Sequence, residues 1–176
     1  DNAEKCAAFT SGMAAIATTV LQFCGPGDML LFSEPVYGGT DHFFRQVLPK
    51  FGIHPVGFCA GCSHEEIEEI IEKSGHADRL KMIFVETPAN PTNALVDIEE
   101  CAEFAKKYAT DDWKPPVVVD NTFLGPIFQR PLEFGADLVI YSATKFIGGH
   151  SDLIAGVCLG KEELVKVGKP SVHHLN

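Results

Sequence analysis

Lys145 directly follows the apolar run Leu138-Val139-Ile140-Tyr141, in the segment Ser142-Ala143-Thr144-Lys145. An amine flanked by two hydroxyls in one turn can form a Schiff base with an aldehyde while the hydroxyls hold a phosphate. A lone lysine in such a place is usually a solvated surface group, so its partners decide the reading. Two further apolar runs end in polar signals. Lys81-Met82-Ile83-Phe84-Val85 leads into Glu86-Thr87-Pro88-Ala89-Asn90-Pro91, and Val117-Val118-Val119 leads into Asp120-Asn121-Thr122. Asp and Asn often punctuate turns, so each ending alone says little. Together they predict one site holding a carboxylate, an amide, two hydroxyls and an amine. A carboxylate such as Asp120, facing a pyridine nitrogen, keeps that nitrogen protonated and makes the ring an electron sink. Ser11-Gly12-Met13 opens a helix whose backbone N–H groups and positive dipole end suit the same phosphate.

Positioning these residues at one edge requires a particular scaffold. The pattern predicts helices over residues 11–24, 38–51, 64–73 and 97–108. It predicts strands over 28–32, 53–59, 82–86, 117–120 and 138–141, with a further strand of open direction over 154–159. Gly25-Pro26-Gly27 stops the first helix, and Gly52 follows the second. Continuous apolar runs such as Pro116-Val117-Val118-Val119 suit strands buried on both faces of a parallel sheet. The fold class expected is α/β, a three-layer α/β/α arrangement around a mostly parallel sheet. In such sheets ligands bind in crevices at the carboxyl ends of the strands, where all three polar endings fall. Phe43, Phe44, Phe51 and Phe58 are expected in the core. The glutamates at 65, 66, 68, 69 and 72 read as a solvated helix face.

The 176 residues suit one domain or a large piece of a longer protein. With 24 acidic against 14 basic residues the net charge is −10, which argues against nucleic acid or an anionic membrane as a partner. No apolar run approaches the ~20 residues of a membrane span, and the opening residues lack a signal peptide's form. Six scattered cysteines, most within apolar runs, predict a reducing, cytoplasmic setting. Cys59-Ala60-Gly61-Cys62 lacks the second ligand pair of a structural zinc site and reads as incidental free thiols, so no metal is expected. His173 and His174 read as exposed tail, and residues 110–114 as a surface loop.

Five ordered stretches carry a family resemblance: Ser11-Gly12-Met13-Ala14-Ala15, Val36-Tyr37-Gly38-Gly39-Thr40, Glu86-Thr87-Pro88-Ala89-Asn90-Pro91-Thr92, Val119-Asp120-Asn121-Thr122-Phe123, and Ser142-Ala143-Thr144-Lys145 followed by Gly149-His150-Ser151-Asp152. The chain resembles the large, cofactor-binding domain of the cystathionine/methionine metabolism family of pyridoxal-phosphate-dependent enzymes, a fold type I architecture. The resemblance implies pyridoxal 5'-phosphate as cofactor and a small amino acid as substrate. It implies that Lys145 carries the cofactor and shuttles protons, that Asp120 pairs with the pyridinium nitrogen, and that Tyr37 stacks on the ring and assists proton transfer. Gly12 and Met13, through their backbone, with the Ser142 and Thr144 side chains, would hold the phosphate. Asn90 would lie near the substrate carboxylate and the phenolic oxygen, and Glu86 would support that corner. His150 and Asp152 would be structural residues behind the lysine loop.

The resemblance further implies a homo-oligomer, a dimer of dimers. It implies that residues 1–176 are the large domain alone, with an N-terminal arm and a C-terminal domain beyond it, and so a chain that is a poor enzyme by itself. Gly39 stands where methionine γ-lyases typically carry cysteine. Tyr37-Gly38-Gly39-Thr40, Phe44-Arg45-Gln46-Val47 and His150-Ser151-Asp152 are most similar to cystathionine γ-lyases. The expected reaction is therefore carbon–sulfur bond cleavage by γ-elimination on cystathionine. The alternatives are γ-replacement on an acylated homoserine, methionine γ-elimination, and a non-catalytic fold that only binds cofactor or partners.

Overall fold

Seven strands form one sheet in the order β1-β7-β6-β5-β4-β2-β3, in a computed structural model that describes residues 1–166. The strands are β1 (Lys5–Phe9), β2 (Met29–Glu34), β3 (His54–Cys59), β4 (Leu80–Glu86), β5 (Val117–Asp120), β6 (Leu138–Tyr141) and β7 (Gly156–Gly160). β3, β2, β4, β5 and β6 pair in parallel, while β7 is antiparallel to both β6 and β1. His173 and His174 lie outside the described residues.

The central strands are apolar along their whole length because helices cover both faces. Leu30, Phe32, Met82, Phe84, Val118, Leu138 and Ile140 point into one core, which α1 (Gly12–Phe23) closes with Ala15, Ile16 and Val20. Met29, Leu31, Ile83, Val85, Val117 and Val119 point into the other. That second core is covered by α3 (His64–Lys73) with Ile67 and Ile71, and by α4 (Ile98–Lys107) with Cys101 and Phe104. Helix starts follow the cap rules: Ser11 accepts from the Ala14 amide, Ser63 and Glu66 form a reciprocal capping box, and Asp97 accepts from the Glu99 and Glu100 amides.

Two expectations need correction. The segment expected as one helix over 38–51 is α2 (Gly38–His42), then a π-helical turn (Phe43–Val47), then a 3-10 turn (Leu48–Phe51) ending at left-handed Gly52. Pro49 has no amide to donate, so a continuous i→i−4 ladder cannot cross it. Phe51 is 55% exposed, unlike buried Phe43, Phe44 and Phe58, because the tightened turn swings it off the core face. Residues 110–114 are a surface loop, as expected, and Trp113 anchors it. Trp113 donates its indole N–H to the Lys81 carbonyl (3.2 Å), packs against Phe23, and lies under the Lys81 ammonium. β1, α5 (Gly125–Phe128) and α6 (Glu162–Val165) are elements that the pattern did not predict.

The strand order places a switch between β2 and β4. From β2 the chain moves outward to β3, then crosses back to β4, β5 and β6. A crevice opens where neighbouring connections depart in opposite directions. The segments after β2 and β4 carry Tyr37 and Asn90.

Candidate active site

A cavity of ≈ 270 Å³ lies at this edge, lined by Ser11, Gly12, Met13, Tyr37, Glu86, Asn90, Asp120, Ser142, Thr144 and Lys145, together with Ile16, Pro88, Thr122, Phe123 and Ile154. All eight residues expected to form a site line this one cavity. They arrive from five places: the start of α1, the segment after β2, and the ends of β4, β5 and β6.

Asp120 closes β5 and is 7% exposed. Its Oδ1 accepts the Thr122 amide (3.0 Å) and the Thr122 hydroxyl (2.6 Å). Burial pushes the Asp120 carboxyl upward, and the two Thr122 bonds pull it partly back. The same Thr122 hydroxyl accepts the Ser142 amide (2.9 Å), so one side chain fixes both the carboxylate and the turn that leads to Lys145. Behind it, Asn121 donates to the Gly125 and Gln129 carbonyls and to the Tyr141 hydroxyl, which locks the loop after β5 from within.

Glu86 closes β4 beside Asp120, in register across the parallel pair. Its Oε2 accepts the Tyr37 amide and its Oε1 accepts the Asn90 amide, each at 2.8 Å. Burial first, and the Asp120 charge second, push the Glu86 carboxyl up to about 7, against the pull of the two backbone bonds. The Tyr37 ring is half exposed over the cavity. A Cβ on Gly39 would stand 2.6 Å from its Cε1 and 3.2 Å from the Met13 sulfur. A larger residue at 39 therefore requires the ring to move.

Lys145 stands exposed at the rim, its turn held by its amide donating to the Ser142 carbonyl (3.0 Å) and its carbonyl accepting from Gly149 (2.8 Å). Among the described residues no hydrogen bond is made to its ammonium. Gly12 is needed for close approach, since a Cβ there would lie 2.7 Å from Ser142 Cβ and 3.0 Å from its Oγ. The first-turn amides of Gly12 and Met13 have no intrahelical acceptor, and both residues line the cavity with Ser142. Thr144 lines the cavity, but its hydroxyl donates to the Ala155 carbonyl (3.1 Å) and accepts the Ala155 amide (3.0 Å). A phosphate drawing on this hydroxyl competes with that bond. His150 and Asp152 are exposed, and among the described residues the His150 ring meets only the Gly148 carbonyl of its own turn, so neither is packed behind the lysine.

Thr122 and the two-sided grip of Glu86 were not assigned from sequence, although both residues sit inside the family-like motifs. Their roles depend on which backbone groups fold back onto them. Cys59, the last residue of β3, and Cys62, in the segment before α3, are free thiols, and the described residues contain no group of three or more side chains that could hold a metal.

Residues 1–173 match the family described as Cys/Met metabolism PLP-dependent enzyme. The chain belongs to this family. It is 40% identical over 174 residues to human cystathionine gamma-lyase, covering 99% of this chain and 38% of that protein. It is also 40% identical over 178 residues to a Bacillus subtilis cystathionine gamma-synthase/O-acetylhomoserine (thiol)-lyase, covering 100% and 43%. The crystal structure of metB from Corynebacterium glutamicum superposes with a TM-score of 0.81 at 35% identity, over 92% of this chain and 39% of that one. The chain thus spans about two fifths of the length of the curated relatives it matches. As a member of the PLP-dependent family it has pyridoxal phosphate as its cofactor, and the cavity fits that group on independent grounds. A buried carboxyl pushed upward is stabilised by a cationic ring nitrogen, and no described residue donates to the second oxygen of Asp120. An unpaired amine and a helix start approached through a required glycine complete the fit.

Proposed function

We propose that residues 1–176 are the pyridoxal-phosphate-binding large domain of a carbon–sulfur lyase that acts on cystathionine by γ-elimination. The observation that carries this is the meeting of Lys145, Asp120, Tyr37 and Ser142 on one cavity in a member of the family. Bound pyridoxal phosphate supplies an electron sink for carbanions formed beside the substrate's amino group. Lys145 supplies the covalent anchor and the amine that moves protons at the substrate's α- and β-carbons. Asp120 holds a proton on the ring nitrogen, and Thr122 keeps that carboxylate aimed. The Gly12 and Met13 amides and the Ser142 hydroxyl bind the phosphate. Tyr37 covers the ring and hands a proton toward the departing sulfur, while Met13, Ile16, Phe123 and Ile154 limit water.

A homo-oligomer, a dimer of dimers in the cytoplasm, is part of the same proposal. Association is supported by Ile127, Phe128 and Phe146, which are largely exposed around a second cavity that shares Phe123 with the first, and by exposed Ile154 at the site itself, a surface that further protein would cover. No helix of the described residues is long and apolar enough to cross a membrane.

The equal identity to a synthase/thiol-lyase keeps γ-replacement as the second reading. Products separate the two. γ-Elimination on cystathionine releases cysteine, 2-oxobutanoate and ammonia. γ-Replacement on O-acetylhomoserine with a thiol releases acetate and a thioether and forms no keto acid. Release of 2-oxobutanoate from cystathionine by the full-length protein supports the proposal; a thioether product without keto acid transfers the assignment to replacement.

A further inference from the structure

Glu86 is 5% exposed and has no lysine or arginine bound to it among the described residues, yet it is fully engaged. Each oxygen accepts one backbone amide, and the two amides belong to different connections. Tyr37 follows β2, and Asn90 follows β4. The Glu86 amide itself donates to the Ser33 hydroxyl (3.1 Å), which ties the clamp to the β2 side as well. The charged and titratable groups around it are few: Asp120 stands in register on β5, and the Tyr37 phenol and the Lys145 ammonium line the same cavity.

We propose that Glu86 is the positioning residue of this site, a clamp that places Tyr37 and Asn90 on the cavity together and tightens when positive charge arrives at Asp120. The inference rests on the cofactor reading for its purpose but not for its geometry. A carboxylate can accept at both oxygens. Protonation makes one oxygen an O–H donor and a poorer acceptor, so the amide on that oxygen is held less tightly. The Asp120 negative charge favours that half-open form. A cation paired with Asp120 cancels its field, so Glu86 ionises and both loops are held. By linkage, closing the clamp strengthens the binding of that cation by the same factor. A protonated pyridine nitrogen is such a cation, so the cofactor would order the residues destined to meet the substrate.

Backbone amide exchange of Tyr37 and Asn90, corrected for intrinsic rates and read against the Asn121 amide bonded to the Ile140 carbonyl (3.0 Å), tests this in cofactor-free protein. The expected result is that protection of at least one of the two amides rises roughly tenfold or more between pH 5.5 and 8, the scale of a hydrogen bond to a charged group. Glu86→Gln, a permanent mimic of the acid form, should fix exchange at the low-pH level at every pH. Asp120→Asn should move the midpoint to lower pH. Protection independent of pH in the unaltered protein, or a midpoint unmoved by Asp120→Asn, overturns the proposal. The pH titration needs no variant, so a failure of either variant to fold does not remove the test. Absence of pyridoxal phosphate binding counts against the proposed function, whereas the amide exchange alone decides for or against the clamp.

Discussion

Glu86 and Asp120 occupy paired positions at the carboxyl ends of adjacent parallel strands, so two buried carboxyls share one wall of the cavity. Both are pushed upward, first by burial, and Glu86 further by the Asp120 charge. A carboxyl raised in the folded state keeps its proton there while the unfolded chain has lost it. Its contribution to stability is therefore full below the unfolded value and is lost as pH rises through the folded one.

For Glu86 that window runs from the ordinary value of 4.5 to about 7. Across it the cofactor-free protein should lose on the order of 3 kcal/mol from this group, at 1.36 kcal/mol per unit. Urea unfolding at intervals from pH 4.5 to 8 reads the effect. The midpoint should fall with pH in the native sequence and fall less in Glu86→Gln. Parallel curves would show that the carboxyl is not raised.

Asp120→Asn keeps the shape and one acceptor oxygen but loses the charge. Cofactor affinity should drop, and turnover by the full-length enzyme should fall by ~10²-fold or more, the scale for removing a preorganised electrostatic group. Steady-state kinetics at saturating pyridoxal phosphate check this, and near-native turnover would count against it. Thr122→Val, which removes the hydroxyl bonded to Asp120 and to the Ser142 amide, should weaken cofactor binding in the same direction but less.

Gly12→Ala puts a methyl group 2.7 Å from Ser142 Cβ. The start of α1 or the turn before Lys145 must then move, at a cost of about 1–3 kcal/mol. Thermal unfolding should show the loss, and phosphate or pyridoxal phosphate titration should show weaker binding. Unchanged stability and affinity would mean that the two backbones are not in close contact.

Much of the scaffold was legible because it is local. Runs such as Val117-Val118-Val119 are apolar at every position only if both faces are covered, and Ser11 opens a helix that Gly25-Pro26-Gly27 stops. Asp120 ends a strand, Ser142, Thr144, Lys145 and Asn90 follow strand ends, and Gly12 and Met13 open α1, and the structure gathers all of them with Tyr37 on one cavity. What could not be read depends on tertiary partners. β1 has little strand pattern of its own and exists through its pairing with β7. Phe51 looks like core until Pro49 tightens the turn. The loop at Trp113 was legible, but its anchor, the Lys81 carbonyl, was not. Thr144 looks like a phosphate ligand until Ala155, eleven residues on, occupies its hydroxyl.

Every catalytic role proposed for the cavity depends on Lys145 being the covalent anchor of pyridoxal phosphate, and reductive labelling reads that bond itself. The protein is loaded with pyridoxal phosphate, treated with borohydride, digested and mapped. The expected result is a pyridoxyl label on Lys145, and loss of both the label and the bound cofactor's visible absorption in Lys145→Ala. A label on another lysine, with Lys145→Ala retaining that absorption, would refute the assignment.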